Sequence, residues 1–367
     1  MTPRTVISRA SALFARTAFV GALVVSTVAH AQDHKDVVQL KDGKSETGRI
    51  KSEEFAGVAI EGKGARTIPW AEIVPNGVTY GGAPEFTAAK DGLDSGRIDE
   101  AFEALTTLKG DKGLRPVLRQ NVLFYLASIH QRRGECDEAV AEYKALLEAF
   151  PKSRYLMEIG EGMVACLTAK KDAAGYAAAT KSLDELSAAT SGVEGGIGPG
   201  INVLKARLYE EQGKIAEAKA AYGVAEKAAG APLSVAQKAR LGQARCLVAM
   251  KNPAEADAIL RKLVTEDAPN AVLAGAWNGI ADLTVIEARD KRDSDKFLDA
   301  LYAYLRGVVQ YAPVAGESPA EYKRSIKGAA DCFGFLADLE KNDAMKRLNQ
   351  QRKAERLEQL KKEFPNG

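Results

Sequence analysis

The sequence predicts a mainly α fold: an α-solenoid of about seven helical hairpins, preceded by a small five-stranded β-barrel. Three observations predict it. From residue 84 onward, Ala/Leu/Lys/Glu-rich segments alternate with short breaks, and one phrase recurs along them. Residues 36–82 have the opposite texture, short β-prone runs divided by Gly, Asp and Asn. The composition is that of an ordinary globular chain of 367 residues, 46% hydrophobic and 27% charged, long enough for an extended array.

Residues 1–31 are expected to be removed. Arg4, Arg9 and Arg16 precede an uncharged stretch from Thr17 to Ala31, and Ala29-His30-Ala31 places small residues before Gln32. A basic start, a short apolar run and an A-x-A end make a secretory signal peptide, with cleavage near Ala31-Gln32. The apolar run is shorter than a membrane-spanning helix needs. Removing it takes three Arg from the 51 basic residues and none of the 49 acidic ones, so the net charge goes from +2 to −1. That balance speaks against a polybasic nucleic-acid binder. The expected location is periplasmic or otherwise exported, where disulfides are permitted and ATP is absent.

The β module follows. Val37, Val38 and Leu40 lead into the turn Lys41-Asp42-Gly43; Gly48 to Lys51, Phe55 to Ile60, Ala65 to Trp70 and Val78 to Tyr80 supply the other runs. Trp70, Phe55 and the Val/Ile positions are the expected core. The run Val38-x-Leu40-x-Asp42-Gly43…Gly48-x-Ile50…Val58-x-Ile60 resembles the first half of an Sm-like barrel. That family binds RNA, but here the position of its RNA-contacting Asn falls near Gly57 and its second half is missing. The resemblance therefore implies a bent small barrel and no RNA site.

The recurring phrase runs Gly96-Arg-Ile98-Asp-Glu100-Ala101, Gly134-Glu-Cys136-Asp-Glu138-Ala139 and Gly213-Lys-Ile215-Ala-Glu217-Ala218. Lys251-Asn-Pro253-Ala-Glu255-Ala256 repeats it without the Gly, and degenerate copies are expected near Tyr176-Ala177, Asp299-Ala300 and Asp343-Ala344. In the clearest copy, Leu123, Leu126, Ala127 and His130 form one helical stripe and Val140, Tyr143, Leu146 and Leu147 the facing one. Gly134 ends the first helix where a left-handed residue is needed, Ala139 lets the axes approach, and Pro151 stops the second helix. A single pair cannot bury both its faces, so stacked copies must share a core. Residues 341–364 are expected to form a charged capping helix with the stripe Met345, Leu348, Leu357, Leu360 and Phe364.

Leu126, Ala127, Gly134, Ala139, Tyr143 and Pro151 resemble the tetratricopeptide repeat, as do Ala206, Tyr209, Gly213, Ala218 and Tyr222. The resemblance covers most of residues 84–367 and implies a right-handed solenoid that binds protein or peptide partners on a face made by first helices. On that face it places Asn121, Phe124, Ser128, Gln131 and Arg132, and downstream Arg207, Glu210, Glu211, Lys238 and Arg245. The segment Tyr143 to Ser153 also resembles repeats of envelope proteins that coordinate outer-membrane assembly or wall synthesis.

Little in the chain suggests chemistry. Only three His and four Cys are present, His130 sits on a buried stripe, and the Gly-rich run Ser191 to Gly200 lacks the Gly-Lys-Ser/Thr ending of a phosphate loop. That run reads as a connection where the array can bend. No catalytic residue, cofactor or metal site is expected. Cys136 and Cys166 fall at helix ends that neighbour one another in a stacked array, and are either a disulfide or two buried thiols; Cys246 and Cys332 fill core space. The leading expectation is an exported adaptor with no enzymatic activity. The alternative is a wall-glycan or other polymer binder, which would need Trp70, Tyr80, Trp277 and Tyr304 exposed in a groove.

Overall fold

The computed structural model describes residues 35–364, apart from 63, 192, 194–196 and 315–316. The expected signal peptide and its cleavage point lie outside the described residues, as does most of the glycine-rich run before residue 197.

Five strands come first: β1 (Asp36–Leu40), β2 (Ser45–Glu54), β3 (Gly57–Glu61), β4 (Ala65–Pro69) and, after a single 3-10 turn at Trp70–Glu72, β5 (Ile73–Thr79). All pairings are antiparallel, in the order β4-β3-β2-β1-β5. The long strand β2 pairs with β1 through its first half and with β3 through its second. Gly48 sits at that changeover, where an added Cβ would lie 2.3 Å from the Glu61 carbonyl oxygen. No pairing joins β4 to β5 among the described residues, so the strands form an open, bent sheet and not the expected closed barrel. Helices cover its inner face instead. Val38, Ile50, Val58, Ile60 and Ile68 share one core with Phe86, Leu105, Val117 and Val122 of the first helices. Trp70 is half-buried at the edge of this core. Phe55, expected within the sheet, packs on a separate helical cluster around Leu156 and Leu183. The reason is that the end of β2 docks on the chain after α4, where Phe55 N–H donates to the Lys152 carbonyl at 2.8 Å.

Fourteen helices follow among the described residues: α1 (Pro84–Asp94), α2 (Ile98–Gly110), α3 (Pro116–Arg133), α4 (Cys136–Ala149), α5 (Leu156–Leu167), α6 (Ala173–Ala189), α7 (Ile197–Glu211), α8 (Ile215–Lys227), α9 (Leu233–Ala249), α10 (Pro253–Leu263), α11 (Asn270–Lys291), α12 (Ser294–Val309), α13 (Ala320–Leu339) and α14 (Asp343–Glu363). Turns of two to five residues join α1 to α2, α3 to α4 and so on to α13 and α14. Connections that short return the chain on itself, giving the expected seven hairpins. Pro opens α1, α3 and α10, where its missing N–H costs nothing and its φ is already helical. Gly96, Gly134 and Gly213 take left-handed φ values of 78°, 74° and 72° at the turns. Ala101, Ala139, Ala218 and Ala256 are essentially inaccessible, as close approach of paired helices requires.

The degenerate copies depart from the phrase. Ala177 is exposed, and the buried small residue of α6 is Ala179. In α12 the phrase position is taken by Phe297 and Ala300 is buried one turn later. Ala344 is exposed, and α14 has no fully buried residue. It lies on α13 through half-buried Leu348, Leu360 and Phe364, the last with Lys323 over its ring at 4.5 Å. Met345 and Leu357, expected on the packed stripe, are 47% and 43% exposed.

Candidate functional site

The odd-numbered helices α5, α7, α9, α11 and α13 bring one set of predicted residues together. Arg207, Glu210 and Glu211 from α7 and Lys238 and Arg245 from α9 line a groove of about 670 Å³. Glu161 of α5, the start of α11 and Glu317 to Glu321 at the start of α13 complete it. Spacing explains the grouping: Arg207, Glu210 and Glu211 lie within one helical turn, and Lys238 and Arg245 lie two turns apart on one face.

The floor of the groove is internally neutralised. Arg245 reaches Glu210 with two parallel hydrogen bonds, Nε to Oε1 at 3.2 Å and Nη2 to Oε2 at 2.9 Å. Its Nη1 lies 3.6 Å from Glu321, which also accepts from Arg324 at 3.2 Å and from Asn278 at 3.0 Å. Arg324 pairs in turn with Asp282, the acceptor of the Tyr304 hydroxyl. Tyr222 donates to Glu210 from below. Burial pushes the Tyr222 and Tyr304 hydroxyls above the usual tyrosine range, and the carboxylate each one touches adds to the effect. Asp282 is raised by its burial, against the pull of Arg324. Both tyrosines therefore stay protonated and donate. The rim differs from the floor. Arg207, Lys238 and Glu211 are exposed. They and Glu161 form no ion pair among the described residues, which leaves both signs of charge for a ligand.

The other predicted residues do not reach this groove. Asn121 is 2% exposed beneath the sheet, its Nδ2 donating to Glu53 at 3.1 Å and to the Tyr80 hydroxyl at 3.0 Å. Phe124 stacks on Tyr155 with centroids 3.7 Å apart. Ser128 bonds its own helix at the Phe124 carbonyl, and Gln131 accepts from Tyr143 at 2.9 Å. Arg132 is exposed but outside the groove. The face of α3 that carries Asn121 and Phe124 is not open, because Glu53 of β2 and Tyr155 at the start of α5 pack on it. Sequence reasoning missed Glu321, Arg324, Asp282 and Asn278, since α11 and α13 carry only weak echoes of the phrase.

His130 Nδ1 donates to the Glu135 carboxylate at 2.6 Å, and the ring stands edge-on to Phe102. Cys136 and Cys166 belong to one packed cluster and are unlinked, and burial pushes the Cys166 thiol up to about 12. Cys246 and Cys332 are inaccessible core thiols. No cluster of His, Cys, Asp and Glu suited to a metal occurs among the described residues. The four aromatics of the polymer reading are scattered. Trp70 lies under the Arg154 guanidinium at 4.0 Å and Tyr80 bonds Glu53, both at one cavity. Trp277 lies under Arg306 at another, and Tyr304 is 6% exposed.

The tetratricopeptide repeat model matches residues 121–153 and 238–270, that is, α3 with α4 and α9 with α10. Two of the helical hairpins thus match the tetratricopeptide repeat, within a mainly helical fold. The comparison with curated protein sequences gives no match. Among solved structures, a tetratricopeptide repeat protein from Parabacteroides merdae is 18% identical, with 74% of this chain and 98% of that one covered and a TM-score of 0.43. PilF of Pseudomonas aeruginosa is 15% identical over 68% of this chain and 93% of that one, with a TM-score of 0.40. PilW, described as a type IV pilus biogenesis factor, is 17% identical over 68% and 94%, also with a TM-score of 0.40.

Proposed function

We propose that this chain is an exported scaffold that binds a protein or peptide partner in the cell envelope through the α5–α13 groove, and that it performs no catalysis. The observation that carries this reading is the groove itself. Five first helices from successive repeats converge on it, and its unpaired rim charges sit above a floor already neutralised by the Arg245–Glu210 pair. Tetratricopeptide repeats generally serve as protein–protein interaction scaffolds. A rigid helical face with separated charges of both signs selects a segment of complementary charge order and resists partners that leave a charge unpaired. Export rests on the basic start, apolar run and Ala29-His30-Ala31 of the first 31 residues. Envelope assembly is the setting suggested by the resemblance around Tyr143 to Ser153.

The test is capture from envelope fractions, identified by mass spectrometry, with the wild-type chain and a Arg207→Glu/Lys238→Glu variant side by side. Both residues are exposed, so the fold is expected to survive, and circular dichroism checks that. The variant is expected to lose the partner that the wild type retains at moderate salt. A partner list identical for both chains removes this groove as the binding surface.

A further inference from the structure

We propose that the cavity between β5, α1 and α3 is a second binding site, one that takes a compact organic anion with a flat apolar body, such as an aryl carboxylate. It lies apart from the groove and is independent of it.

The cavity holds about 440 Å³, within the usual range for small-molecule sites. Its walls are Val74, Val78, Phe86 and Tyr125. The first wall is built by an irregularity in the sheet. Val38 pairs with Val78 but Leu40 pairs with Ile73, so Val74 to Gly77 bulge away from β1. Asn76 in this bulge has a left-handed φ of 57°, and a Cβ on Gly77 would lie 2.7 Å from Val74. Bulges that re-aim a strand beside a cavity are common at functional sites.

The polar end is Arg154. Its guanidinium is stacked 4.0 Å over Trp70 and 4.9 Å from the centroid of Tyr155. Only Nη1 has a side-chain partner, Glu53 Oε2 at 3.3 Å; Nε and Nη2 have no acceptor among the described residues and are not sealed from solvent. A guanidinium that lies over one ring, close to a second, and is tied to Glu53 through Nη1 has its remaining N–H groups left for a carboxylate or phosphate. Lys41 and Lys90 stand with it on the lining against the single acid Asp91. Lys90 is tied to Asp94, and Lys41 has no acidic partner among the described residues. Apolar walls, an aromatic face and the Lys41 ammonium beside the Arg154 guanidinium together favour a flat anion over a neutral or cationic ligand.

Arg154 also braces the buried Glu53, so its replacement risks the fold. The test therefore uses exposed Lys41 and the bulge. Full-length chain is titrated with benzoate, phenyl phosphate and the neutral analogue benzamide, by calorimetry and ligand-observed NMR. Because hydrogen bonds to a charged acceptor are the stronger ones, benzoate or phenyl phosphate is expected to bind about tenfold or more tightly than benzamide. Lys41→Glu is expected to weaken anion binding severalfold, and Val74→Trp, which fills the cavity, to abolish it while Arg207→Glu/Lys238→Glu leaves it unchanged. Failure of both anions to bind, equal binding of benzamide, or binding that survives Val74→Trp overturns the proposal.

Discussion

At six of the seven turns within hairpins, one residue takes the left-handed conformation. Three of them are Gly96, Gly134 and Gly213, and three are Lys171, Lys251 and Arg292, with φ of 51°, 59° and 51°. The turn geometry is thus the same whether or not glycine supplies it, because the αL residue lets the following helix reverse direction. An L-residue pays for that conformation with a clash between Cβ and the next carbonyl, roughly 1–2 kcal/mol, partly offset by the smaller backbone entropy that it loses on folding. Lys251→Gly is therefore expected to stabilise the chain by roughly 0.5–1 kcal/mol, and Gly134→Ala to destabilise it by about 1 kcal/mol. Urea midpoints of the two variants against wild type check both signs; a fall in the midpoint for Lys251→Gly refutes the strain argument. The three glycine turns were legible in the sequence, and so was the Lys251 copy, whose Pro253 and Ala256 are intact. Lys171 and Arg292 were not, because both the Gly and the Ala five residues on are replaced there.

Between elements, the repeats interlock through an aromatic and a glycine. The Tyr143 ring occupies the space where a Cβ on Gly162 would stand, Tyr222 does the same at Gly242 and Tyr304 at Gly328. Leu260 faces Gly279 in the same manner. A second-helix side chain thus sits under the first helix of the next repeat, and its hydroxyl, where present, reaches Gln131, Glu210 or Asp282 on the open side. Packing and groove electrostatics are coupled by this arrangement: the tyrosine that sets helix spacing also orients the carboxylate that holds Arg245. Adding one methyl group at Gly242 would place it 2.2 Å from a ring carbon of the fully buried Tyr222. Overpacking of this kind costs roughly 1–3 kcal/mol, so Gly242→Ala is expected to lower the melting temperature. The same substitution made together with Tyr222→Leu is expected to cost much less than the sum of the single changes. An additive double-mutant cycle would show that the ring and the glycine are not partners. Tyr143 and Tyr222 could be read from the sequence as the repeat's aromatic. The matching glycines could not, since a glycine inside a helix reads locally only as a weak helix former.

Across the whole molecule, the sheet and the first repeats share one core, although their sequence textures differ sharply. The join is made of charges that look like surface acids in the sequence. Asp36, 1% exposed, accepts from Ile50 and Gly81 amides and from both terminal nitrogens of Arg115, 79 residues away. Glu53, 2% exposed, accepts from Tyr80, Asn121 and Arg154. No local spacing signals such pairs, which is why the boundary near residue 83 reads as a change of module while Asn121 reads as an open-face residue. Once formed, these pairs cannot be broken from one side cheaply. Removing Arg115 leaves the Asp36 carboxylate buried with only amide donors, and loss of one partner of a buried pair costs about 3–5 kcal/mol. Arg115→Ala is thus expected to unfold α1–α4 together with the sheet, while α9–α13, which share no contact with Asp36, persist longer. Hydrogen exchange read by mass spectrometry resolves this: faster exchange should spread over residues 36–150 as a block. Fast exchange confined to the strands would mean that the helices fold without the sheet, and that the charged join only attaches it.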